Sequence, residues 1–294
     1  MECHPRQVRL HRGGVRHLGP DLAQAVTTAI VRPRPRGRVR PRGRGRLAQV
    51  LVFAGLVAVW WLAAAAGSIG AVPTPPAVVS ALVTEIATGA IWQPLGLTIA
   101  SWGISFSIAV VLGVVIGLPL GMSRLAYRIS SFVLDFMRTI PALVLVPLVV
   151  LLFGSKLPST VLLAAFGAVW AVIMQTVYGV RDTDPVARDT FTSFRVRPFD
   201  RFFRLLLPSA APYIATGVRL AAAICLLVTI SAQIVIPADG IGKSIVMAGL
   251  GDATPTMYAY ILLAGLLGVG INAMFERLES VVLRWHPAHR KEHA

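Results

Sequence analysis

The stretch LTIASWGISFSIAVVLGVVIGLPL, Leu97 to Leu120, runs for twenty-four residues without an Asp, Glu, Lys or Arg. Crossing the ~30 Å hydrocarbon layer of a bilayer takes about 20 apolar residues, so this block reads as a membrane span. Five further blocks of the same character lie around it, at 47–66, 132–153, 157–180, 213–236 and 257–275. The first holds Trp60 and Trp61 near one end, where an aromatic belt would lie. The third is interrupted by Pro141 and Pro147. The whole chain of 294 residues is 55% hydrophobic and 14% charged, with a mean hydropathy of +0.71. Soluble domains carry about 25% charged residues. A water-soluble enzyme, a disordered chain and a disulfide-built secreted domain are therefore excluded. The expected fold class is an all-α polytopic membrane protein with about six transmembrane helices.

Charge orients the spans, because cytoplasmic connections accumulate Lys and Arg. Residues 1–46 hold twelve Arg against Glu2 and Asp21, two thirds of the net +15. The 2–3 connection carries Arg124 and Arg128. The long 4–5 connection carries Arg181, Arg188, Arg195, Arg197, Arg201 and Arg204, and the tail at 277–294 adds Arg277, Arg284, Arg290 and Lys291. The alternate connections are nearly bare of basic residues. Both termini are expected in the cytoplasm. Proline and glycine in the Arg-rich run up to Arg46 disfavour a packed fold, so 1–46 is expected to be a disordered basic arm. No aromatic residues interleave with its arginines, which speaks against nucleic-acid binding.

The most informative connection is 181–211. Asp184 followed by Pro185 is a helix start, an N-cap acceptor ahead of a residue preset for the first turn. The helix should run to about Phe194, with Ala187, Phe191 and Phe194 on one face at i, i+4 and i+7. So short a helix cannot bury that face alone and needs a partner surface. Downstream stand Leu207-Pro208 and the run Pro212-Tyr213-Ile214…Thr216-Gly217…Arg219.

Taken in this order, these residues resemble the permease subunit of bacterial ABC importers, in the branch of nitrate, sulfonate and taurine permeases. The resemblance extends over about 70–286. It includes Pro73-Thr74-Pro75-Pro76-Ala77-Val78, Arg138-Thr139-Ile140-Pro141…Pro147-Leu148, Gly179-Val180-Arg181…Asp184-Pro185 and Asp239-Gly240-Ile241-Gly242. It implies the type I importer permease fold, with the 4–5 loop as the coupling helix that docks on a cytoplasmic ATPase. The centre departs from the family pattern of Glu-Ala-Ala, three residues and Gly. Asp189, Thr190 and Phe191 stand at the first three positions and Arg195 at the glycine. A glycine there permits positive φ, which arginine takes up only with strain. The resemblance further implies two ATPase subunits, an extracytoplasmic solute-binding protein, and a second permease copy or homologue in a bacterial inner membrane. The solute is expected to be a small anion such as nitrate, a sulfonate or taurine.

No cofactor is expected in this chain, with ATP and Mg bound by the ATPase partner. Gly240-Ile241-Gly242-Lys243-Ser244 is phosphate-loop-like, but the motif's first glycine is replaced by Pro237. Gly113, Gly117 and Gly121 recur every four residues, a small face suited to close helix packing. Pro119 is expected to bend that helix. Asp135 and Arg138 are read as a local ion pair or an arginine reaching the interface, with substrate gating as the alternative, and Arg219 is read in the same way. Polar residues within spans, Ser101, Ser105, Gln175, Thr229, Ser231, Gln233 and Asn272, are candidates for a translocation path. A secondary transporter would need an intramembrane acid, and none is present at depth. An intramembrane enzyme is disfavoured too, because all six histidines, from His4 to His293, lie in the tails.

Overall fold

The computed structural model describes residues 42–67 and 72–282, and every regular element among them is helical. Helix α1 is Arg42–Ala65, α2 Pro75–Thr88, α3 Trp92–Met122, α4 Arg124–Thr139 and α5 Val146–Phe153. A 3₁₀ turn, Ala142–Leu145, leads into α5. Helix α6 is Leu157–Arg181, α7 Pro185–Ser193, α8 Pro198–Arg201, α9 Leu207–Val235, α10 Ile241–Leu250 and α11 Thr254–Val282. Among the described residues, five helices are long and apolar enough to cross a membrane, and a bent pair brings the number to six.

Helices α3 and α11 run past their expected blocks, α11 into the expected tail as far as Val282, and three further boundaries differ from the sequence expectation. Helix α1 opens at Arg42, inside the expected arm, despite Gly43 and Gly45 in its first turn. Residues 1–41 of that arm and 283–294 of the tail lie outside the described residues. The second difference lies in the third block. Ile140 and Pro141 take extended backbone, with ψ 116° and 125°, because a proline disfavours helix at the residue before it. Helix α4 therefore meets the segment Ala142–Phe153 at 82°.

Thirdly, the helix of the fifth block starts at Pro198, well inside the expected loop, and runs to Val235. It accommodates Pro208 through a π turn at Phe202–Leu206, in which the Leu207 amide bonds back to the Phe202 carbonyl. Widening the helix there relieves the clash a proline ring makes with the carbonyl four residues earlier. Pro119 is housed inside the single helix α3.

Helix α6 is the most buried of the long helices and packs along both α3 and α9. Gly113, Gly117 and Gly121 face Val172, Thr176 and Val180 in that order, so α3 and α6 run parallel. A Cβ at Gly117 would stand 2.7 Å from that of Thr176. The small face thus serves packing within one chain. Helix α9 runs antiparallel to α6: Gly179 meets Tyr213, and Gly217 meets Gln175. The C-terminal ends of α3 and α6 and the start of α9 consequently share one end of the bundle. The C-terminal part of α11 joins them through an ion pair of Glu279 with Arg219 at 3.2 Å.

Candidate functional site

The shared end carries α7, and local chemistry fixes its position. Asp184 accepts the Val186 amide at 2.9 Å, and Pro185 opens the helix, as that pair of residues predicts. The last carbonyls of a helix have no partner within it. For α6, the Val180 carbonyl is met by the Thr183 hydroxyl at 2.9 Å and by Arg188 Nη2 at 2.7 Å. Arg188 therefore ties α7 to the end of the most buried helix. The Tyr213 hydroxyl donates to Asp182, and the Arg181 guanidinium lies 4.0 Å from the Tyr127 ring centre. The end of α6 is thus tied to α4, and the short link after it to α9.

The far end of α7 closes with Arg195 at φ 50°, the left-handed position where glycine was expected to be needed. The Arg195 amide bonds to the Thr192 carbonyl at 3.0 Å and the Val196 amide to the Phe191 carbonyl at 3.1 Å. This is the pair of bonds of a Schellman C-cap. Arginine adopts the glycine conformation, and the closing bonds hold it there.

Ala187, Arg188 and Phe191 are half-buried, turned toward the bundle. The apolar surface left open is a different set. Val186 is 71% and Phe194 79% exposed, followed by Phe199, whose ring packs 4.6 Å from that of Phe203. Periodicity alone placed Phe191 and Phe194 on one face, and only Phe194 is open. Asp189 is exposed, whereas Leu207 and Pro208 are half-buried in the first turn of α9.

Of the seven path candidates, two share a cavity. Ser231 and Asn272 line a space of about 350 Å³ between α9 and α11, together with Arg219 and Phe275. Ser101 and Ser105 bond back to the carbonyls of Leu97 and Ser101. Gln175 packs against Gly217, and Thr229 is buried. Gln233 is wholly buried and belongs to a structural lock at the opposite end. Its Oε1 accepts from the Thr98 hydroxyl at 3.0 Å and from the Gly242 amide at 3.2 Å, while Thr98 accepts the Ile241 amide at 2.9 Å. The Ile241 and Gly242 amides of the phosphate-loop-like segment are therefore already taken. Asp135 and Arg138 form their local pair at 3.1 Å. Arg219 is paired as well, but with the distant Glu279, which spacing could not have revealed.

Residues 109–284 match the family described as the binding-protein-dependent transport system inner membrane component. The chain is 36% identical over 252 residues to the aliphatic sulfonates transport permease protein SsuC of Escherichia coli, covering 84% of this chain and 95% of that one. It is 26% identical over 188 residues to the nitrate import permease protein NrtB of Synechocystis, covering 64% and 67%. Among solved structures, the MetNI methionine ABC transporter in inward-facing conformations aligns with a TM-score of 0.54 at 18% identity, over 63% of this chain and 93% of that one. That last likeness is one of fold.

Proposed function

This chain belongs to the binding-protein-dependent transport inner-membrane component family, as an ABC importer permease of the type I fold, and we propose that it passes a small sulfonate or oxyanion delivered by an external binding protein. On this reading the chain pairs with a second permease, and two separate ATPase subunits bind and hydrolyse ATP with Mg. The bundle end that bears α7 faces the cytoplasm, which suits Arg124, Arg128, Arg181, Arg188 and Arg277 all standing at that end.

The single observation that carries the coupling role is the exposed apolar ridge that Val186 and Phe194 form on α7, a helix capped at both ends, with exposed Phe199 following on α8. Outside the bilayer such a ridge stays wet unless a protein covers it, and covering one such side chain is worth about 1.5–3 kcal/mol. Asp189, exposed beside it, offers a charge to the same partner. When the ATPase dimer closes, movement of α7 passes through Arg188 to the end of α6 and through Tyr213 to α9. The cavity between α9 and α11 is where that movement would open or close a passage. Its Ser231 hydroxyl, Asn272 amide and Arg219 guanidinium offer hydrogen-bond donors to an anion without a fixed acid at depth.

Photocrosslinking tests the docking. A photoactivatable phenylalanine analogue at position 194 should attach to the ATPase subunit in the assembled transporter, and the same analogue at Leu151 should not. Capture of lipid alone at position 194 would contradict the reading.

A further inference from the structure

Helix α4 has three distinct faces. Ala126, Tyr127, Ser130, Leu134 and Met137 turn toward the protein, with Leu134 and Tyr127 packed against α6. Leu125, Ile129, Phe132, Val133 and Phe136, at i, i+4, i+7, i+8 and i+11, form an exposed apolar stripe. Phe132 is 78% exposed and stacks on Phe136. The third face is polar and exposed, with Arg124, Arg128, Asp135, Arg138 and Thr139. Asp135 is spent on Arg138, which leaves the sector with a net positive charge.

A helix crossing a membrane would not need a charged, exposed sector along its whole length. A helix lying in the headgroup plane does: one face meets acyl chains and another meets water and phosphates. The bend agrees, since α4 stands at 82° to the segment after it. Length agrees as well. The 3₁₀ turn Ala142–Leu145 and α5 together rise about 20 Å, short of the ~30 Å hydrocarbon layer. A helix whose apolar face is sunk about 5–10 Å below the headgroups supplies the missing distance.

The geometry points to α4 as an in-plane helix. Its Leu125–Phe136 stripe is seated in the acyl chains of the cytoplasmic leaflet, and Arg124 and Arg128 lie at anionic headgroups. The contact of Arg181 with Tyr127 puts it at the same bundle end as α7. The leaflet becomes a third element bearing on the coupling region, beside the bundle and the ATPase. Which leaflet holds the helix rests on the proposed function. The depth of the helix does not depend on it, so failure of either leaves the other standing.

Spin labels test the depth in the assembled transporter, on a chain carrying Cys3→Ser and Cys225→Ala. The bilayer is a nanodisc of three parts phosphatidylcholine to one part phosphatidylglycerol. Single labels at positions 125, 129, 132 and 136 are read by their relative accessibility to oxygen and to a water-soluble nickel chelate. All four should report one shallow depth, about 5–10 Å below the phosphates. A label at Leu148 should read deeper, and one at Arg128 should be open to the chelate. A progressive change of about 16 Å from position 125 to 136, eleven residues at 1.5 Å each, would show a crossing helix and overturn the inference. Labels closed to both oxygen and chelate would show the stripe covered by protein, such as a second copy of this chain, and would overturn it equally.

Discussion

The Val196 amide reaches back 3.1 Å to the Phe191 carbonyl, and the bond closes α7 only because Arg195 between them stands at φ 50°. A left-handed conformation costs a residue with a side chain about 1–2 kcal/mol. Glycine would remove that cost but lose about 0.4–1 kcal/mol through the freer unfolded chain. Arg195→Gly should therefore raise the thermal midpoint of the purified transporter slightly or leave it unchanged. Arg195→Val should lower it, since a β-branched residue fits φ 50° worst. A fall with glycine would show that the arginine head, not the backbone, holds the turn.

The α3–α6 contact predicts a position-specific response to small insertions. Gly117→Val drives its side chain into Thr176, and overpacking of this kind costs about 1–3 kcal/mol or more. Gly103, on the same helix, has open space around it, so Gly103→Ala should be tolerated. Yield of monodisperse protein after detergent extraction distinguishes the two. Equal yields would mean the glycine face does not set helix spacing.

At the opposite end, Thr98→Val keeps the shape but leaves the Ile241 amide buried without its acceptor. Such an orphan costs about 1–3 kcal/mol. Thr98→Ser restores the oxygen and should recover most of the thermal midpoint that valine loses. No difference between the two would remove Thr98 from the lock.

These sites also show where sequence reading succeeds and stops. The start of α7 was legible because capping is local: Asp184 and Pro185 act on their own next turn. The glycine face was legible because its four-residue recurrence is periodic. Gln233 was not, since a polar side chain at membrane depth looks the same in sequence whether it meets a backbone amide or water. Its partners Thr98 and Gly242 come from other elements. The direction of the α7 face was hidden for the same reason, being set by Arg188 reaching the Val180 carbonyl of another helix. Helix α4 escaped detection because its charged face dilutes the apolar one, so an apolar block appeared to begin at Phe132 when the helix starts at Arg124.

The cavity between α9 and α11 makes a prediction about transport alone. Ser231→Leu places a branched apolar side chain in the space shared with Asn272 and Arg219. Uptake of a labelled alkanesulfonate or of nitrate into proteoliposomes should fall at least tenfold, while the ATPase subunits still co-purify. Undiminished uptake would place the path elsewhere in the assembly.

Whether α7 transmits ATP-driven work through its open ridge is tested most directly at Phe194. Replacing an exposed side chain leaves the fold intact, whereas Phe191, being half-buried, would confound docking with stability. The measurement is the amount of ATPase subunit retained on the purified permease, compared between Phe194→Asp and Phe194→Leu. Losing about 2 kcal/mol of apolar burial should weaken retention roughly thirtyfold for aspartate. Leucine should keep most of it, and both variants should insert in the membrane normally. Full retention with aspartate at position 194 would contradict the account.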